Sequence, residues 1–488
     1  MGQNLGQNRS TGVDEQAPRV LRAATRFGAP VLCIVAALFA GPPAVHAQTT
    51  PASAASAASA SSTDTGAATT TTGTGSSSAL PAPGVTNQYS VSSAPASAAS
   101  NSPVAPSAVS GNEQVLTMRL GTSETWDSNV FLLPNSVDPQ VRLGTSTKSD
   151  QINATYAGLR IDKPYAQQRF YLDMTETAYR HQNFSYLNFD ALQYQGAWNW
   201  VVGPRISGTL SAARSQTLVN YSNFQNTAER NVVTTDNRLV SVDGWLSGGW
   251  HVLAGATQDQ VSNSVPFAQQ GSYHALGANA GLKYVSRAGN SITLTTQSSR
   301  ADYLNQPLDP ATLSDDGFRR SESDAIVAWA LTGKSSVGAT VGWMDYRSNH
   351  FSQRDFSGAV GQFGYSWRPT GKLSFNLFAS RNLVPYADTT SSYVASDTVS
   401  VGPSWQLTSN TSVHASFSRT GSDYKNPVFQ LVGPARHDTQ RSAQLALDWA
   451  PLRTLSLSAS LQRTQQSSTD AAFEYGDTTA QLSAALAF

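Results

Sequence analysis

From residue 114 to the C-terminus, apolar and polar side chains alternate along the chain. The stretch 455–462 reads Leu-Ser-Leu-Ser-Ala-Ser-Leu-Gln, and the C-terminal residues 482–488 read Leu-Ser-Ala-Ala-Leu-Ala-Phe. Successive side chains of a β-strand point to opposite faces, so a period of two predicts strands with one apolar and one polar face. The alternation recurs in stretches of about 12 residues, which is longer than the usual globular strand.

The connectors between these stretches alternate between short and long. Short turns such as 202–204 and 332–334 are followed by longer polar segments such as 130–148 and 304–319. This alternation is typical of outer-membrane barrels. Tryptophans recur just before the short turns, at Trp198, Trp200, Trp245, Trp250, Trp329, Trp367, Trp405 and Trp449. They could form a sugar-stacking platform or an interfacial girdle, and their regular phase with the turns favours the girdle.

We therefore predict an all-β fold, a transmembrane antiparallel up-and-down β-barrel of about 18 strands, with about 16 as the lower bound. Beyond residue 47 the chain has no run of about 18 apolar residues, and in lipid only helices or closed barrels satisfy every backbone polar group. The predicted strands are 114–129, 149–162, 167–180, 189–201, 205–218, 234–249, 251–263, 273–285, 291–303, 320–331, 335–347, 355–367, 372–383, 393–406, 412–424, 437–449, 455–466 and 475–488. An even count predicts that both termini lie on the short-turn side, in the periplasm.

The first part of the chain predicts export. Residues 1–47 combine a basic region, an apolar core at 29–40 and small residues before a cleavage site after Ala47, as in a secretory signal peptide. An uncleaved anchor is the alternative. Residues 48–112 are rich in Ala, Ser, Thr and Pro and carry one charge, Asp64. We predict a disordered periplasmic segment there and a barrel over 113–488.

Composition excludes several function classes. The 32 Lys and Arg balance 32 Asp and Glu, and only 13% of residues are charged. A nucleic-acid partner would require a basic surface, and soluble domains carry about 25% charged residues. The histidines have no metal-ligand spacing, and neither a nucleophile elbow nor a phosphate loop occurs. We predict a protein that is not an enzyme, with no cofactor and no metal. Asp309, Asp315 and Asp316 crowd one long loop, which leaves open a Ca²⁺ site or a solvated acidic loop.

The polar face of the strands carries mainly hydroxyl and amide groups, as at Thr293, Thr295 and Gln297. About 18 strands enclose a lumen too wide for side chains to fill, so the tube is a water channel unless loops or the leader plug it. Such a wall can hydrogen-bond a passing glycan without trapping it. The charged or titratable residues in lumen phase are candidates for substrate binding, although a local salt bridge or a solvated wall group is the more ordinary role for each: Arg205, Lys283, His414, Asp448 and Asp173.

Residues 126–134, at the exit of the first strand, read Trp-Asp-Ser-Asn-Val-Phe-Leu-Leu-Pro. This phrase resembles the start of EpsL-type outer-membrane proteins, which are associated with exosortase B and exopolysaccharide biosynthesis, and the chain is similar more broadly to the β-barrel porin superfamily. The resemblance implies a barrel through which a secreted polysaccharide leaves the cell. It supplies no catalytic motif. The residues Asp127, Ser128 and Asn129 also fit a turn-initiating role.

The leading hypothesis is a passive, hydrated channel with a neutral polar lumen that exports an extracellular polysaccharide across the outer membrane of a Gram-negative cell. The expected partners are the polysaccharide, outer-membrane lipid, the barrel assembly machinery and periplasmic or inner-membrane polysaccharide export proteins. The terminal Phe488, behind alternating apolar residues, resembles the C-terminal signal that the assembly machinery recognises. The alternative is a general or solute-specific porin for the uptake of small molecules. A third hypothesis is a surface adhesin that uses the long loops.

Overall fold

The computed structural model describes residues 115–223, 228–265, 271–386, 391–428 and 434–488. The predicted signal peptide (1–47) and the predicted low-complexity segment (48–112) lie outside the described residues. Within the described ranges, no helix is long and apolar enough to cross a membrane.

The described chain is almost entirely β-strand. The strands are β1 Leu116–Asp127, β2 Asp150–Tyr165, β3 Gln168–His181, β4 Phe189–Val202, β5 Ile206–Leu218, β6 Val232–Ser247, β7 Trp250–Asn263, β8 Tyr273–Val285, β9 Ser291–Tyr303, β10 Gly317–Thr332, β11 Ser335–Ser348, β12 Phe356–Trp367, β13 Leu373–Pro385, β14 Tyr393–Thr408, β15 Thr411–Lys425, β16 His437–Trp449, β17 Leu455–Ser468 and β18 Tyr475–Ala487. One short α-helix, α1 (Pro139–Leu143), and short 3-10 segments at Ser185–Leu187, Tyr221–Asn223, Ser352–Arg354 and Ala471–Phe473 lie in the connections.

Each strand pairs antiparallel with its neighbours in an 18-stranded sheet, and β18 pairs with β1. The closing register runs from Arg119 opposite Ala487 to Asp127 opposite Thr479. Closure gives every described strand a partner on both sides, which is how a barrel satisfies its backbone without water. The predicted closed barrel and the strand count of about 18 are confirmed.

The connections again alternate in length, and we call the two ends of the barrel the short-turn end and the long-loop end. The connection from β4 to β5 spans residues 203–205, whereas β9 and β10 are joined by residues 304–316. The short turns use glycine where the backbone must take a positive φ, as at Gly203 (φ 62°) and Gly289 (φ 79°).

The residues that follow β1 fasten it to β18. The side chain of Asn129, fully buried, donates to the backbone oxygens of Leu133 (2.9 Å) and Gly476 (3.1 Å) and accepts from the Leu133 N–H (2.9 Å). The hydroxyl of Ser128 donates to Asp477 (2.9 Å) and accepts from the Thr478 N–H (2.7 Å). The phrase at 126–134 therefore has a structural role, because it holds together the two strands whose pairing closes the barrel.

Candidate functional site

Solvent exposure identifies the two faces of the wall. On β9, Ile292 and Leu294 are 42% and 56% exposed, whereas Thr293 and Ala301, in the opposite phase, are buried. Large apolar side chains are exposed in the same way around the sheet, for example Leu461 on β17 and Val341 on β11. In a closed barrel the exposed apolar face must be the outer face. The alternate positions therefore face the interior, which is the candidate permeation path.

Hydroxyl and amide groups make cross-strand hydrogen bonds on the inner face. Thr398 on β14 and Thr420 on β15 are 2.9 Å apart at their hydroxyl oxygens, and Thr209 donates to the side-chain oxygen of Asn199 (2.8 Å). Because these groups satisfy one another, they form a polar but uncharged wall. The hydroxyl- and amide-rich lining that the alternation predicts is present on this face.

Charged groups on the inner face are mostly paired. Arg320 contacts Glu322 at 2.6 Å on β10. Arg119 on β1 makes an ion pair with Asp173 on β3, across the intervening strand β2. Gly158 on β2 leaves space for this contact, since a Cβ atom there would lie 3.4 Å from Arg119 Nε and 2.9 Å from a Thr175 hydroxyl.

Four of the five residues predicted to bind substrate lie on the inner face. Asp173 pairs with Arg119, and Lys283 lies 3.4 Å from Asp243, which also contacts His251 Nδ1 at 2.6 Å.

Of the remaining predicted residues, His414 and Asp448 lie together on the inner face and Arg205 lies in a turn. His414 and Asp448 are brought together, with 3.2 Å between His414 Nε2 and the Asp448 carboxylate, and His414 Nδ1 lies 2.8 Å from the Ser404 hydroxyl. Arg205 lies in the turn between β4 and β5 rather than in a strand, and its guanidinium lies 5.3 Å from the centre of the Trp245 ring. The predicted residues thus form separate pairs, not one binding site, and their role in substrate binding stays a prediction.

Five further residues of the inner face are not predicted from the sequence: Arg119, Asp243, His251, Arg320 and Glu322. The phase of the alternation could have identified Arg119, which lies between the outward Met118 and Leu120. The pairings themselves depend on strand register, which alternation alone does not specify.

The interior becomes more enclosed towards the long-loop end. On β3 the inward residues Thr177, Tyr179 and His181 are 1%, 7% and 6% exposed, while Asp173, nearer the short turn, is half-buried. On β16, Asp438, Gln440 and Ser442 are likewise buried, towards the long-loop end. Inward side chains are therefore more closely packed at the long-loop end than at the short-turn end.

Aromatic rings pack against one another at the long-loop end. Phe318, Tyr346 and Phe356, on three neighbouring strands, stack with centroid distances of 4.9 and 4.7 Å, and Tyr393 continues the stack at 4.5 Å from Phe356. Offset stacking of this kind stabilises a packed wall.

The long connections add a second apolar cluster at the same end. The connections β1–β2, β3–β4 and β5–β6 contribute the buried residues Phe131, Leu133, Phe184, Leu187 and Tyr221. Packing between separate loops restricts their movement over the mouth of the barrel.

The acidic loop between β9 and β10 is organised around one carboxylate. Asp315, 5% exposed, accepts hydrogen bonds from the backbone N–H groups of His350 (2.8 Å) and Phe351 (3.1 Å), and its carboxylate lies 3.0 Å from His350 Nδ1. Asp316 lies 3.2 Å from the same nitrogen. Asp309 is separate and accepts from the Ala311 N–H and the Thr312 hydroxyl. This arrangement joins the β9–β10 loop to the β11–β12 loop.

The geometry of this contact favours the protonated form of His350. The hydrogen bond to Asp315, aided by the charge of Asp316, raises the pKa of His350 above its ordinary value despite partial desolvation. Burial acts to raise the pKa of Asp315, but the hydrogen bonds from the side chain and backbone of His350 and from Phe351 together lower it. These shifts favour a protonated His350 and an ionised Asp315, so the two loops are joined by a charge-assisted hydrogen bond.

Comparison with known proteins connects part of the barrel to porins. The family model described as "Putative beta-barrel porin 2" matches residues 324–488, from within β10 to the C-terminus. No curated protein sequence matches the chain.

Solved structures with a similar barrel include the outer membrane protein OpdK from Pseudomonas aeruginosa (TM-score 0.44, 11% identity, 76% of this chain and 99% of that one). A BenF-like porin from Pseudomonas fluorescens Pf-5 matches with a TM-score of 0.45 and 9% identity, over 76% of this chain and 99% of that one. OccK2 (OpdF) of Pseudomonas aeruginosa, solved in complex with glucuronate, matches with a TM-score of 0.44 and 10% identity, over 76% and 98%. The family description names a porin and no exopolysaccharide or exosortase. The porin part of the expected resemblance is supported, and the EpsL-type part is not.

Proposed function

We propose that this protein is an outer-membrane porin through which small polar solutes diffuse. The observation that carries the proposal is a closed barrel whose inner wall is polar and whose inward side chains are buried towards the long-loop end. The porin family match over 324–488 supports the same function.

The outer face supports a membrane location. Exposed apolar side chains such as Leu276 (58%), Val341 (68%) and Leu445 (56%) surround the barrel. A continuous apolar surface of this extent is unfavourable in water and is expected where lipid covers it. Tryptophans including Trp367, Trp405 and Trp449 lie near the short-turn end of this surface, where an interfacial ring would anchor the barrel. We propose, as in other outer-membrane barrels, that the short turns face the periplasm.

Burial of the inward side chains at the long-loop end favours small solutes over a polymer. An exported polysaccharide would occupy the whole length of the barrel at once, so it requires a bore that is wide from end to end. Here inward side chains are buried towards the long-loop end on strands well apart in the sheet, such as Thr177 on β3, Tyr346 on β11 and Gln440 on β16. The phrase at 126–134, which suggested polysaccharide export, is accounted for by closure of the barrel. The export hypothesis therefore has less support than the porin hypothesis.

The chemistry of the wall suggests the class of solute. Hydroxyl and amide groups alternate with paired charges such as Arg320 with Glu322 and Lys283 with Asp243. Paired charges present dipoles without a strong net field, so the wall can exchange hydrogen bonds with neutral or mixed-charge solutes. Sugars and small hydroxylated acids fit this description.

Liposome swelling tests the proposal. Mature protein reconstituted in liposomes is expected to admit a monosaccharide rapidly and an oligosaccharide slowly, and to exclude a long dextran. Liposomes with heat-denatured protein provide the control. Passage of a polysaccharide at a rate comparable to a monosaccharide, or no passage of any small solute, would refute the proposal.

A further inference from the structure

Three arginines form a row on the outer face at the long-loop end. Arg300 on β9 lies directly opposite Arg319 on β10, and Arg319 lies directly opposite Arg347 on β11. All three are exposed, whereas Phe318 and Tyr346, in the opposite phase, are buried against the interior. We call these residues the arginine row.

The arginine row lies at the edge of the apolar outer surface. On β11 the outward positions preceding Arg347 include Val341 and Trp343, which are 68% and 58% exposed. On β10 the outward face runs from Trp329 to Arg319, a separation that corresponds to about 25 Å of height for a tilted strand. The apolar band of an outer-membrane barrel is about 25 Å tall, so the row lies at the level of lipid headgroups on the long-loop side.

The charges of the row are incompletely balanced within the barrel. Like charges directly opposite one another destabilise a sheet. Arg300 has only a distant carboxylate, Asp302 at 3.7 Å, whereas Arg347 contacts two, Asp345 at 3.0 Å and Asp355 at 3.6 Å. Arg319, between them, makes no ion pair within the part of the chain that the structure describes.

Arg381, an outward arginine elsewhere on the barrel, differs from the arginine row because its charge is paired. Arg381 on β13 lies two strand positions from the apolar surface residue Ala379 and is opposite Asp397, whose carboxylate accepts two hydrogen bonds from it at 2.8 and 3.0 Å. Its charge is therefore balanced within the sheet. This makes Arg381 a suitable control for the arginine row.

A cavity of about 750 Å³ lies over the arginine row. Its lining includes all three arginines together with Asp302, Asp316, Asn349 and His350. Its lining has two carboxylates, Asp302 and Asp316, against three arginines and His350, so cationic side chains outnumber anionic ones. The cavity can therefore accept an anion with several oxygen atoms. Guanidinium groups bind phosphate oxygens through paired N–H donors, which makes phosphate the matching group.

We propose that the arginine row binds the phosphate groups of a phosphorylated glycolipid in the outer leaflet. The position of the row selects a lipid over a free anion, because the acyl chains of a bound lipid would lie along the apolar surface formed by residues such as Leu294 and Val341. Basic clusters at the edge of a membrane-spanning surface favour anionic headgroups in this way. The inference rests on the proposed outer-membrane location with the long loops outside the cell.

Lipid retention by the full mature protein tests the inference. The protein, refolded in detergent, is incubated with bisphosphorylated lipid A, with its dephosphorylated form, or with inorganic phosphate, and the bound molecules are counted by native mass spectrometry. We expect the protein to prefer bisphosphorylated lipid A over the dephosphorylated form, and the R300Q/R319Q/R347Q variant to lose at least about tenfold in its affinity. R381Q is expected to bind like the unchanged protein.

Three results would overturn the inference: equal binding by the triple variant, an equal loss in R381Q, or phosphate binding that is as strong without the lipid. Should the triple variant not fold, R319Q alone is expected to show a smaller loss in the same direction, and no loss would count against the site. Liposome swelling with the triple variant separates this inference from the proposed function. The row lies on the outer face, so swelling is expected to remain unchanged even where lipid binding is lost.

Discussion

At the scale of single residues, Asn129 connects the two strands whose pairing closes the barrel. Its amide is fully buried and bridges the connection after β1 to the first residues of β18, through Leu133 and Gly476. Removing it leaves buried backbone groups without partners, which costs more than a hydrogen bond normally contributes.

We therefore predict that Asn129→Ala lowers the free energy of unfolding by about 1–3 kcal/mol. Urea unfolding of the refolded barrel in detergent measures it. Asn135→Ala, at an exposed position, is the control and should change stability by less than about 0.5 kcal/mol. Equal effects of the two substitutions would contradict the role assigned to Asn129.

A second residue-scale contact depends on pH. The pKa of His350 is raised, so its contribution to loop order is present at low pH and is lost as the pH rises through that raised value, above about 6.5. The pKa of Asp315 is lowered, so its contribution is present above the ordinary aspartate value of about 3.9 and is lost as the pH falls through the lowered one. Both contributions are therefore present between these values.

We predict that hydrogen exchange in residues 349–355, corrected for its intrinsic pH dependence, is slower at about pH 5.5 than at about pH 9. The His350→Gln variant should lose this difference, since it has no titrating ring. The same protection at both pH values in the unchanged protein would show that the His350 contact does not order the loop.

At the scale of elements, the alternation predicts the strand boundaries closely where a turn interrupts the pattern sharply. The strands β8 and β9 begin and end as predicted, at 273–285 and 291–303, because Gly289 and its neighbours interrupt the pattern abruptly. β10 starts at Gly317, three residues before the predicted start. Polar residues such as Arg319 obscure the pattern there, whereas pairing with β9 keeps them in the sheet.

The inner contacts were less predictable, because they depend on which strands become neighbours. Phase alone places Asp173 and Lys283 on the inner face, but Arg119 is 54 residues from Asp173 along the chain. Their contact follows from the order β1–β2–β3 and from the missing side chain at Gly158. Arg205 was assigned to a strand, yet the turn that begins at Gly203 includes it.

An ion pair between β6 and β8, across β7, leads to a prediction about the ion selectivity of the channel. Lys283 balances Asp243 on the inner face, at 3.4 Å. Replacing it with glutamine leaves the carboxylate less balanced, so the ratio of cation to anion permeability should rise by up to about threefold, equal to roughly 0.6 kcal/mol of screened interaction.

Reversal potentials in a salt gradient measure this ratio. Lys334→Gln, in an exposed short turn where the lysine donates to the Pro369 oxygen, is the matched control and should leave the ratio unchanged. If Lys283→Gln also leaves it unchanged, Lys283 does not line the permeation path.

At the scale of the whole molecule, closure of 18 strands and enclosure of the long-loop end have different origins. The strand pattern predicts closure, because lipid leaves no other partner for the backbone. The packing at the long-loop end could not be predicted, because it depends on how separate loops meet, as in the cluster of Phe131, Phe184 and Tyr221. The sequence predicts a wide lumen unless loops fill it, and in the structure loops pack together and inward side chains are buried towards one end.

Polymer exclusion in single-channel recordings tests the central claim most directly. Polyethylene glycols of increasing size are added to one side of a planar bilayer at a time, and the conductance of the mature protein is measured. The account predicts an aqueous conductance that larger polymers reduce when added from the short-turn side but not from the long-loop side, because only the smallest polymers enter the narrow end. A barrel that conducts no ions, or one that admits large polymers equally from both sides, would contradict it.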